Sequence, residues 1–391
     1  MGLERLYQKF ENQINTTDID FKRYLYDDVQ WDSRLIGIVG PRGTGKTTLM
    51  LQYIKEELNL KNALYVSADD LYFSNHSLYD LAEDFYQHDG KHLFIDEIHK
   101  YPEWSPTLKN IYDSFPKLKI VFTGSSVLEI LKGTADLSRR ALMYHLQGLS
   151  FREYLNWRHG QNIQPHALTD ILKNNINIGY IEHPLPIFKD YLNNGYYPFA
   201  IENGFTNRLD QVILQTLETD IPQFAQLSVS TSRKLKHLLT IIAESVPFKP
   251  NFSKIAEILG VSRNSLEDYF LHMEKAGLIV QVRNETKGIR ALGKVSKVYL
   301  DNPNLAFHLA GNNPNAGNIR ETFFANQMRL RHALTSHTEV DFSIGDFHFE
   351  IGGKGKGQNQ LPKDKNAFVV KDNIETGLRN TIPLWAFGLN Y

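Results

Sequence analysis

The chain has 391 residues, of which 42% are hydrophobic and 22% charged, and its formal net charge is −1. This length exceeds one ordinary core, so we expect two or three domains. The near-zero charge excludes a global attraction to nucleic acid or acidic lipid. The chain has no cysteine, which excludes disulfides, thiol catalysis and cysteine zinc sites. No apolar run approaches the roughly 18–20 residues of a membrane helix, and the start of the chain is charged, so we expect a cytoplasmic protein without membrane contact.

Five short β-like runs punctuate the first 150 residues: LIGIV (35–39), ALYVS (63–67), HLFID (92–96), KIVFT (119–123) and ALMYHL (141–146). Helical patterns lie between them. Ser105 before Pro106 predicts the start of one helix, and Ser126 with Glu129 predicts a capping box on another, which ends at Gly133. Strands that alternate with helices form parallel sheets covered on both faces. Residues 1–150 are therefore predicted to be a three-layer α/β domain.

The rest of the chain changes character twice. Residues 151–228 are mostly helical and predict a lid or connector. Residues 229–311 read as helix, turn, helix and a two-stranded hairpin, with Gly260 at the turn, which is typical of a winged-helix domain. One helix face is predicted from Leu266, Tyr269, Phe270 and Met273. A linker at 310–318 leads to a small α+β C-terminal domain, residues 318–391.

The segment GPRGTGKT at residues 40–47 matches the pattern G-x-x-x-x-G-K-[ST], between a predicted strand and a predicted helix. Glycines let backbone N–H groups turn inward around a phosphate, and the helix N-terminus adds partial positive charge. Lys46 is placed to bridge two phosphates, and Thr47 to offer its hydroxyl to Mg²⁺. A glycine-rich turn without a ligand is the alternative. The predicted nucleotide-binding residues are Gly40, Pro41, Arg42, Gly43, Thr44, Gly45, Lys46, Thr47 and Thr48.

An acidic pair ends the third predicted strand. Asp96 is expected in the Mg²⁺ shell, and Glu97 is expected to polarise the attacking water, because ligands bind at the carboxyl ends of strands in such sheets. Two carboxylates alone are also typical of a solvated loop. The glutamate favours hydrolysis over transfer to a small molecule, and no [NT]-K-x-D guanine-reading motif occurs. We therefore expect ATP with Mg²⁺, rather than GTP.

Two further positions have polar candidates. Thr123, Ser125 and Ser126 lie at the end of the fourth predicted strand, where a polar side chain can sense the γ-phosphate or orient the water. Ser125 is favoured for this role because Ser126 is the predicted cap. Arg139 and Arg140 precede the fifth strand, where an arginine stabilises transition-state charge in its own subunit or in a neighbour. The second arrangement makes the protein a homo-oligomer; a solvated basic pair is the alternative.

GPRGTGKTTLM, FIDEIHKYPEWSPTLKNIYDSF, VFTGSS and LSRRALMYHLQGLSFREYL together resemble prokaryotic AAA+-like ATPases that carry a C-terminal restriction-endonuclease-like domain. The resemblance implies an AAA-type core, a helical lid, a winged helix and that C-terminal fold. It gives Lys46 and Thr47 the Walker A roles, and Asp96 and Glu97 the Walker B roles. It gives Arg140 the role of the arginine before the fifth strand.

DNA contact through the winged helix has two interpretations. Arg263 and Asn264 suit a groove-reading helix, but Glu267 and Asp268 repel phosphate. The wing carries more basic residues than acidic ones, so it suits phosphate contact without sequence reading. A solvated hairpin is the alternative. The wing's charged residues are Arg283, Lys287, Arg290, Lys294 and Lys297 against Glu285.

A second Mg²⁺ site is predicted from Glu321, Asp341 and Glu350. Nucleases of the resembled fold place a lysine two positions after the second acid, and here that position is Gly352. Lys354 lies roughly 13 Å from Glu350 along an extended strand, so a structural domain is favoured over a nuclease. Three hypotheses remain for the chain: an ATPase that rearranges its other domains, a slow nucleotide-gated interaction switch, and an ATP-dependent nuclease.

Overall fold

The structure is a computed structural model that describes residues 2–124, 137, 139–225, 227–244, 249–284, 295–311, 315–356 and 366–391. The chain divides into two compact units, Met1–Gly148 and Leu149–Tyr391. Helices and strands are numbered below in chain order. None of the described helices is both long and apolar enough to cross a lipid bilayer.

The first unit is built on a five-stranded parallel sheet in the order β2-β3-β4-β1-β5. Its strands are β1 (Leu35–Val39), β2 (Ala63–Ser67), β3 (His92–Asp96), β4 (Lys119–Gly124) and β5 (Leu142–His145). The predicted parallel sheet is confirmed. The three central strands are almost wholly buried, which explains why they read as continuous apolar runs.

The α-helices of this unit are α1 (Gly2–Thr16), α2 (Leu25–Asp28), α3 (Lys46–Glu57), α4 (Leu78–Gln87) and α5 (Trp104–Ser114). Short 3-10 helices cover Leu60–Asn62, Leu71–Ser74 and Ile98–Lys100. Helix α1 buries Leu6, Phe10 and Ile14, four residues apart, on the face that packs against β2 and α3. Helices α4 and α5 pack against each other. These helices cover the sheet that positions the site.

Helix α5 begins earlier than the sequence predicts. Ser105 lies inside the helix, and Glu103 is its cap residue, so the predicted Ser105 cap is wrong. Trp104 is buried with its ring 6.0 Å from that of Phe122, which draws the first turn onto the core. Pro106 is tolerated because first-turn N–H groups have no intrahelical partner. The predicted Ser126–Glu129 capping box and its Gly133 stop lie outside the described residues.

The second unit begins with a helical stretch. Its α-helices are α6 (Phe151–His159), α7 (Leu168–Leu172), α8 (Pro184–Asn194), α9 (Phe205–Gln215), α10 (Ile221–Ala225), α11 (Val229–Glu244), α12 (Phe252–Leu259), α13 (Arg263–Lys275), α14 (Pro303–Leu309) and α15 (Ala316–Met328). A π-helical turn, Thr216–Asp220, joins α9 to α10, and 3-10 helices cover Pro198–Ile201 and Leu384–Leu389. Gly260 ends α12 in the left-handed region, where glycine meets no steric penalty. Helix α13 buries the face predicted for it.

The second unit contains one seven-stranded mixed sheet, in the order β12-β11-β10-β9-β8-β6-β7. Its strands are β6 (Ile279–Asn284), β7 (Val295–Leu300), β8 (Leu334–Ser336), β9 (Phe342–Ile344), β10 (Phe347–Gly352), β11 (Ala367–Lys371) and β12 (Thr381–Pro383). The predicted hairpin is the antiparallel pair β6–β7. Strand β6 also pairs in parallel with β8, so the hairpin continues the C-terminal sheet. The helical and hairpin segments and the C-terminal strands thus belong to one compact unit.

Helix α15 lies at the centre of this unit. Every residue from Glu321 to Met328 is buried, polar ones included. The helix packs against β7, β10 and the last 3-10 helix. Because this part of the helix is enclosed all round, its sequence shows no amphipathic period.

Candidate functional site

The loop at residues 40–45 joins β1 to α3 and is shaped by its glycines. Gly43 and Gly45 have φ values of 74° and 92°, in the left-handed region that favours glycine. A Cβ on Gly40 would lie 2.1 Å from the backbone oxygen of Leu146, so only glycine fits there. The loop therefore turns tightly at the end of a buried strand and opens α3 at Lys46, as the sequence predicts.

Lys46 is folded back over this loop. Its Nζ donates to the backbone oxygens of Gly40 at 3.0 Å and Pro41 at 2.8 Å, and its side chain is buried. Thr44 is also buried and donates its hydroxyl to the Pro41 oxygen at 3.0 Å. An ammonium group is thus held inside a loop of backbone groups.

Arg23 braces the loop, and sequence reasoning missed it. Its guanidinium donates to the backbone oxygen of Thr44 and, at 2.6 Å, to that of Gln147. The side chain is only 5% exposed, so both bonds form away from water. Arg23 therefore links the loop to the segment that follows β5. Because it lies outside every motif, no local signal marks it.

Asp96 lies at the carboxyl end of β3 and accepts bonds from several donors. Oδ2 accepts from the Thr47 hydroxyl at 2.6 Å and from the Tyr65 hydroxyl at 2.8 Å. Oδ1 accepts from the Thr123 hydroxyl and from the backbone N–H of Glu97 at 3.1 Å. The structure thus brings together Thr47 and Asp96, the two predicted Mg²⁺ residues, and adds Tyr65 and Thr123 to them.

Glu97 has an uncommon backbone conformation for a residue other than glycine, with φ 50° and ψ 39°. Such a conformation persists only where surrounding contacts hold it. Its N–H also donates to the Thr123 hydroxyl at 3.3 Å. Its carboxylate lies 3.4 Å from Nε2 of His99, whose side chain is buried. His99 stands two positions after Glu97 in DEIHK, and sequence reasoning passed over it.

Ser125, the residue predicted to sense the γ-phosphate, lies outside the described residues. Thr123, which the sequence ranks below it, contacts both Asp96 and Glu97. Among the described residues, Thr123 is therefore the candidate at the end of β4 that contacts the acidic pair.

Arg140 lies at the amino-terminal ends of the strands, whereas the acidic pair lies at a carboxyl end. Strand β5 runs parallel to β1 with Leu142 beside Ile36, so Arg140 is level with the start of β1. The phosphate loop follows the end of β1, roughly 15–20 Å away at about 3.3 Å per residue. The guanidinium pairs with Asp113, its Nε and Nη2 lying 3.1 and 3.0 Å from the two carboxylate oxygens. The structure does not bring Arg140 to the phosphate loop of its own chain; a role in a neighbouring chain stays a prediction.

The three carboxylates of the predicted second metal site do not gather into one group. Nζ of Lys297, on β7, lies 2.9 Å from Asp341 and 3.6 Å from Glu321. Glu350 instead pairs with Lys356, because the chain turns after Gly352 and brings this lysine back. Over the described part of the chain, no three histidine or acidic side chains are placed to hold a metal ion.

Buried polar contacts complete the Lys297 cluster. The Tyr299 hydroxyl donates to Glu321 at 2.6 Å, and Asp341 accepts from the N–H of Ile351 at 3.0 Å. Burial, with a smaller contribution from Asp341, raises the pKa of Glu321 above its ordinary value. Lys297 is therefore buried and paired inside the unit, so the prediction that it contacts phosphate from the wing is wrong. Of the other wing residues, Lys287, Arg290, Lys294 and Glu285 lie outside the described residues.

Two cavities in the first unit lie away from the phosphate loop. One of about 520 Å³ lies between α1 and the end of β2, and Tyr65 and Gln13 are part of its lining. The other, of about 740 Å³, is lined by Trp31 and Tyr53, whose rings stack with centroids 3.9 Å apart. Of these two cavities, the first is lined by Tyr65, which donates to Asp96.

Among known proteins, the chain is 28% identical over 297 residues to the uncharacterized protein MJ1637 of Methanocaldococcus jannaschii. That match covers 70% of this chain and 61% of the relative. Among solved structures, the chain is similar to the Walker-type ATPase PABY2304 of Pyrococcus abyssi, with 14% identity and a TM-score of 0.45 over 74% of this chain and 95% of that one. It is also similar to AMPPCP-bound DnaA from Aquifex aeolicus, with 13% identity and a TM-score of 0.29 over 70% and 88% of the two chains.

Two family models match separate parts of the chain. Residues 185–316 match one described as a domain of unknown function, DUF8612. Residues 32–155 match one described as an AAA domain, and this range contains β1 to β5, the phosphate loop and the acidic pair. Residues 32–155 therefore form an AAA-type, P-loop ATPase-like domain.

Proposed function

We propose that the chain binds ATP with Mg²⁺ and hydrolyses it. The observation that carries this proposal is the hydrogen bond between Thr47 and Asp96, 2.6 Å long, beneath the glycine loop. It joins the first residues of α3 to the end of β3, so the two motifs, 49 residues apart, form one site. A glycine-rich turn that binds no ligand would require neither the buried Lys46 nor the Asp96 carboxylate that accepts from Thr47.

The residues present fit both parts of the ligand. The tight glycine turns and the N-terminus of α3 favour an anion, and the buried Lys46 adds a positive charge. A hydroxyl and a carboxylate are oxygen ligands, which Mg²⁺ prefers. Thr47 and Asp96 would hold the metal, whose positive charge would offset the charge that develops on the phosphate oxygens.

Glu97 is the candidate base for the attacking water. It follows Asp96 directly, its backbone is fixed by Thr123, and its carboxylate is 23% exposed, so water reaches it. A positioned carboxylate that accepts a proton contributes about 10²–10⁴-fold to a rate. Thr123 and His99 would keep that carboxylate in place.

The test is steady-state phosphate release from Mg·ATP by the full chain. Glu97→Gln should lower turnover by at least about 100-fold and leave ATP binding unchanged, because the amide cannot accept the proton. Glu103→Gln is a matched control, since Glu103 is an exposed glutamate with the same left-handed backbone, φ 50°. Equal turnover in wild type and Glu97→Gln, or none in wild type, would contradict the proposal.

The finer architecture and partners stay predictions. These are the winged-helix and endonuclease-like domains, the nuclease activity, the homo-oligomer, the cytoplasmic location and contact with DNA. For DNA, the described contacts give little support, because Arg263 pairs with Glu267 at 3.1 Å and Lys297 is buried beside Asp341. Phosphate release measured over a range of protein concentrations, with and without DNA, tests the DNA and assembly predictions together.

A further inference from the structure

We propose that Tyr65 is a positioning residue for the metal site, acting through Asp96. This inference rests on the proposed function. Tyr65 lies on β2, outside the motifs that mark the nucleotide site. Its hydroxyl donates to Asp96 Oδ2 at 2.8 Å, the same oxygen that accepts from Thr47.

The contact is built into the sheet. Strands β2 and β3 are parallel, with Tyr65 beside Phe94 and Ser67 beside Asp96. Tyr65 therefore starts two residues before the level of Asp96, and its long side chain reaches along the strand to the carboxylate. The residue is only 4% exposed. A shorter hydroxyl side chain at this position would not span the distance.

Tyr65 can only act as a donor in this contact. A phenol carries one O–H donor and is neutral near pH 7, whereas a carboxylate can only accept. The Tyr65 hydroxyl is therefore the donor and Oδ2 of Asp96 the acceptor. A bond from a neutral donor fixes the oxygen without cancelling the negative charge that a cation requires.

Besides the Glu97 N–H, the two oxygens of Asp96 accept from hydroxyl groups on three elements. Thr47 comes from α3, Tyr65 from β2 and Thr123 from β4. Without the phenol, Oδ2 keeps only the Thr47 hydroxyl among these, and Thr47 is itself a proposed metal ligand. Tyr65 is thus the donor to Oδ2 that would hold this oxygen without binding the metal itself. Residues that orient metal ligands in this way typically change metal affinity by about 10–100-fold when mutated.

The variant Tyr65→Phe removes the hydroxyl and keeps the ring. We expect the free Mg²⁺ concentration that half-saturates ATP turnover to rise by about tenfold. The affinity for ATP measured without metal should stay within about twofold, because the bond from the phenol to Asp96 lies on the Mg²⁺ side of the site. A residue that merely supports the fold would not separate these two quantities.

Tyr53→Phe is the matched control. Tyr53 lies in the same unit, on α3, where its ring stacks on Trp31 away from Asp96. The same loss of one phenol hydroxyl should leave the Mg²⁺ dependence unchanged. In a chain that already carries Asp96→Asn, Tyr65→Phe should cause no further change in the Mg²⁺ dependence of ATP binding. The reason is that the carboxylate that Tyr65 would position for the metal is absent from that chain.

The outcomes separate the two proposals. If the wild-type chain does not hydrolyse ATP, the proposed function fails, and this inference fails with it. If wild type hydrolyses ATP and Tyr65→Phe shows the same Mg²⁺ dependence as Tyr53→Phe, only the inference is overturned. A loss of ATP affinity without metal in Tyr65→Phe would also overturn it, because it would show a role in shaping the nucleotide pocket. Should Tyr65→Phe not fold, Gln13→Leu replaces it in all of these tests, because it removes the other side chain that hydrogen-bonds to this phenol. The phenol would then be held less firmly against Asp96, so we expect half-saturation at a higher free Mg²⁺ concentration. An unchanged Mg²⁺ dependence in a folded Gln13→Leu chain would then count against the inference.

Discussion

Each of the two units holds a buried lysine, and the described contacts of the two lysines differ. Lys46 donates to the uncharged backbone oxygens of its loop, and Asp96 accepts from hydroxyl groups. Lys297 instead pairs directly with Asp341 and lies near Glu321. The Lys297 charge is largely compensated by the carboxylates beside it, whereas Lys46 lies in a glycine loop at a helix N-terminus, a place that favours an anion.

This difference leads us to assign different roles to the two clusters. We interpret the loop and acidic pair of the first unit as a site for an ionic ligand. We interpret the Lys297 cluster as a junction that joins β7 to α15 and to the segment before β9. Buried ion pairs are weak contributors to stability as a whole, but removing one partner is costly, because the other charge stays buried. The following experiments test this contrast.

The largest effect is expected at the junction. Lys297→Met should destabilise the second unit by about 3–5 kcal/mol, because two buried carboxylates would lose their shared cation. Urea unfolding followed by circular dichroism measures this loss. Lys119→Met is the control, since Lys119 pairs with the fully exposed Asp32, and water and salt screen such a pair. Equal stabilities for the two variants would contradict the junction.

Lys46→Ala should weaken ATP binding by about 100-fold, since hydrogen bonds that involve a charged group contribute about 1.5–3 kcal/mol. Calorimetric titration with ATP measures this directly. Lys55→Ala removes a lysine from the same helix that donates to the Thr17 backbone oxygen instead. This control should bind ATP like wild type. If Lys46→Ala and Lys55→Ala weakened ATP binding equally, general attraction between charges would explain the binding, and the loop would not.

Thr123→Val should lower turnover by about tenfold and leave ATP binding without metal unchanged. The valine keeps the shape but removes one hydroxyl that contacts both Asp96 and the Glu97 backbone, a loss of about 1–1.5 kcal/mol. Thr107→Val is the matched change at an exposed position, where the hydroxyl donates to a helix carbonyl oxygen. Turnover that is unaffected in Thr123→Val would show that the acidic pair does not depend on this threonine.

Glu321→Gln should have the smallest effect, within about 1 kcal/mol near neutral pH, because the amide oxygen can still accept from Tyr299 and Lys297 keeps Asp341 as its closer partner, at 2.9 Å. The pKa of Glu321 is raised above 4.5 in the folded chain. Its contribution to stability is therefore full below pH 4.5 and is lost as the pH rises through the folded-state value. Glu321→Gln should remove this loss. Identical pH profiles for the two chains, measured by thermal unfolding, would contradict the raised pKa.

The sequence predicts the first unit better than the second, for physical reasons. Each strand of the parallel sheet is a short apolar run bounded by polar residues, and the phosphate loop needs glycines at fixed positions. Both signals are local. The start of α5 was predicted wrongly because the burial of Trp104, a tertiary contact, decides where that helix begins.

The contacts that complete the site depend on strand register, which a sequence does not display. Tyr65 reaches Asp96 only because β2 lies beside β3 in one alignment. Lys297 meets Asp341 because β6 and β7 join the sheet that follows them, an arrangement without a local signal. Lys356 returns to Glu350 through a turn, so a distance counted along an extended strand misses it.

The most direct test of the account is equilibrium binding of ATP to the wild-type chain, with and without Mg²⁺. The account predicts one bound ATP per chain, tighter binding with Mg²⁺ than without it, and weaker competition by GTP. If ATP at millimolar concentration with Mg²⁺ does not bind, the contrast between the two lysine clusters has no functional meaning, and the account is wrong.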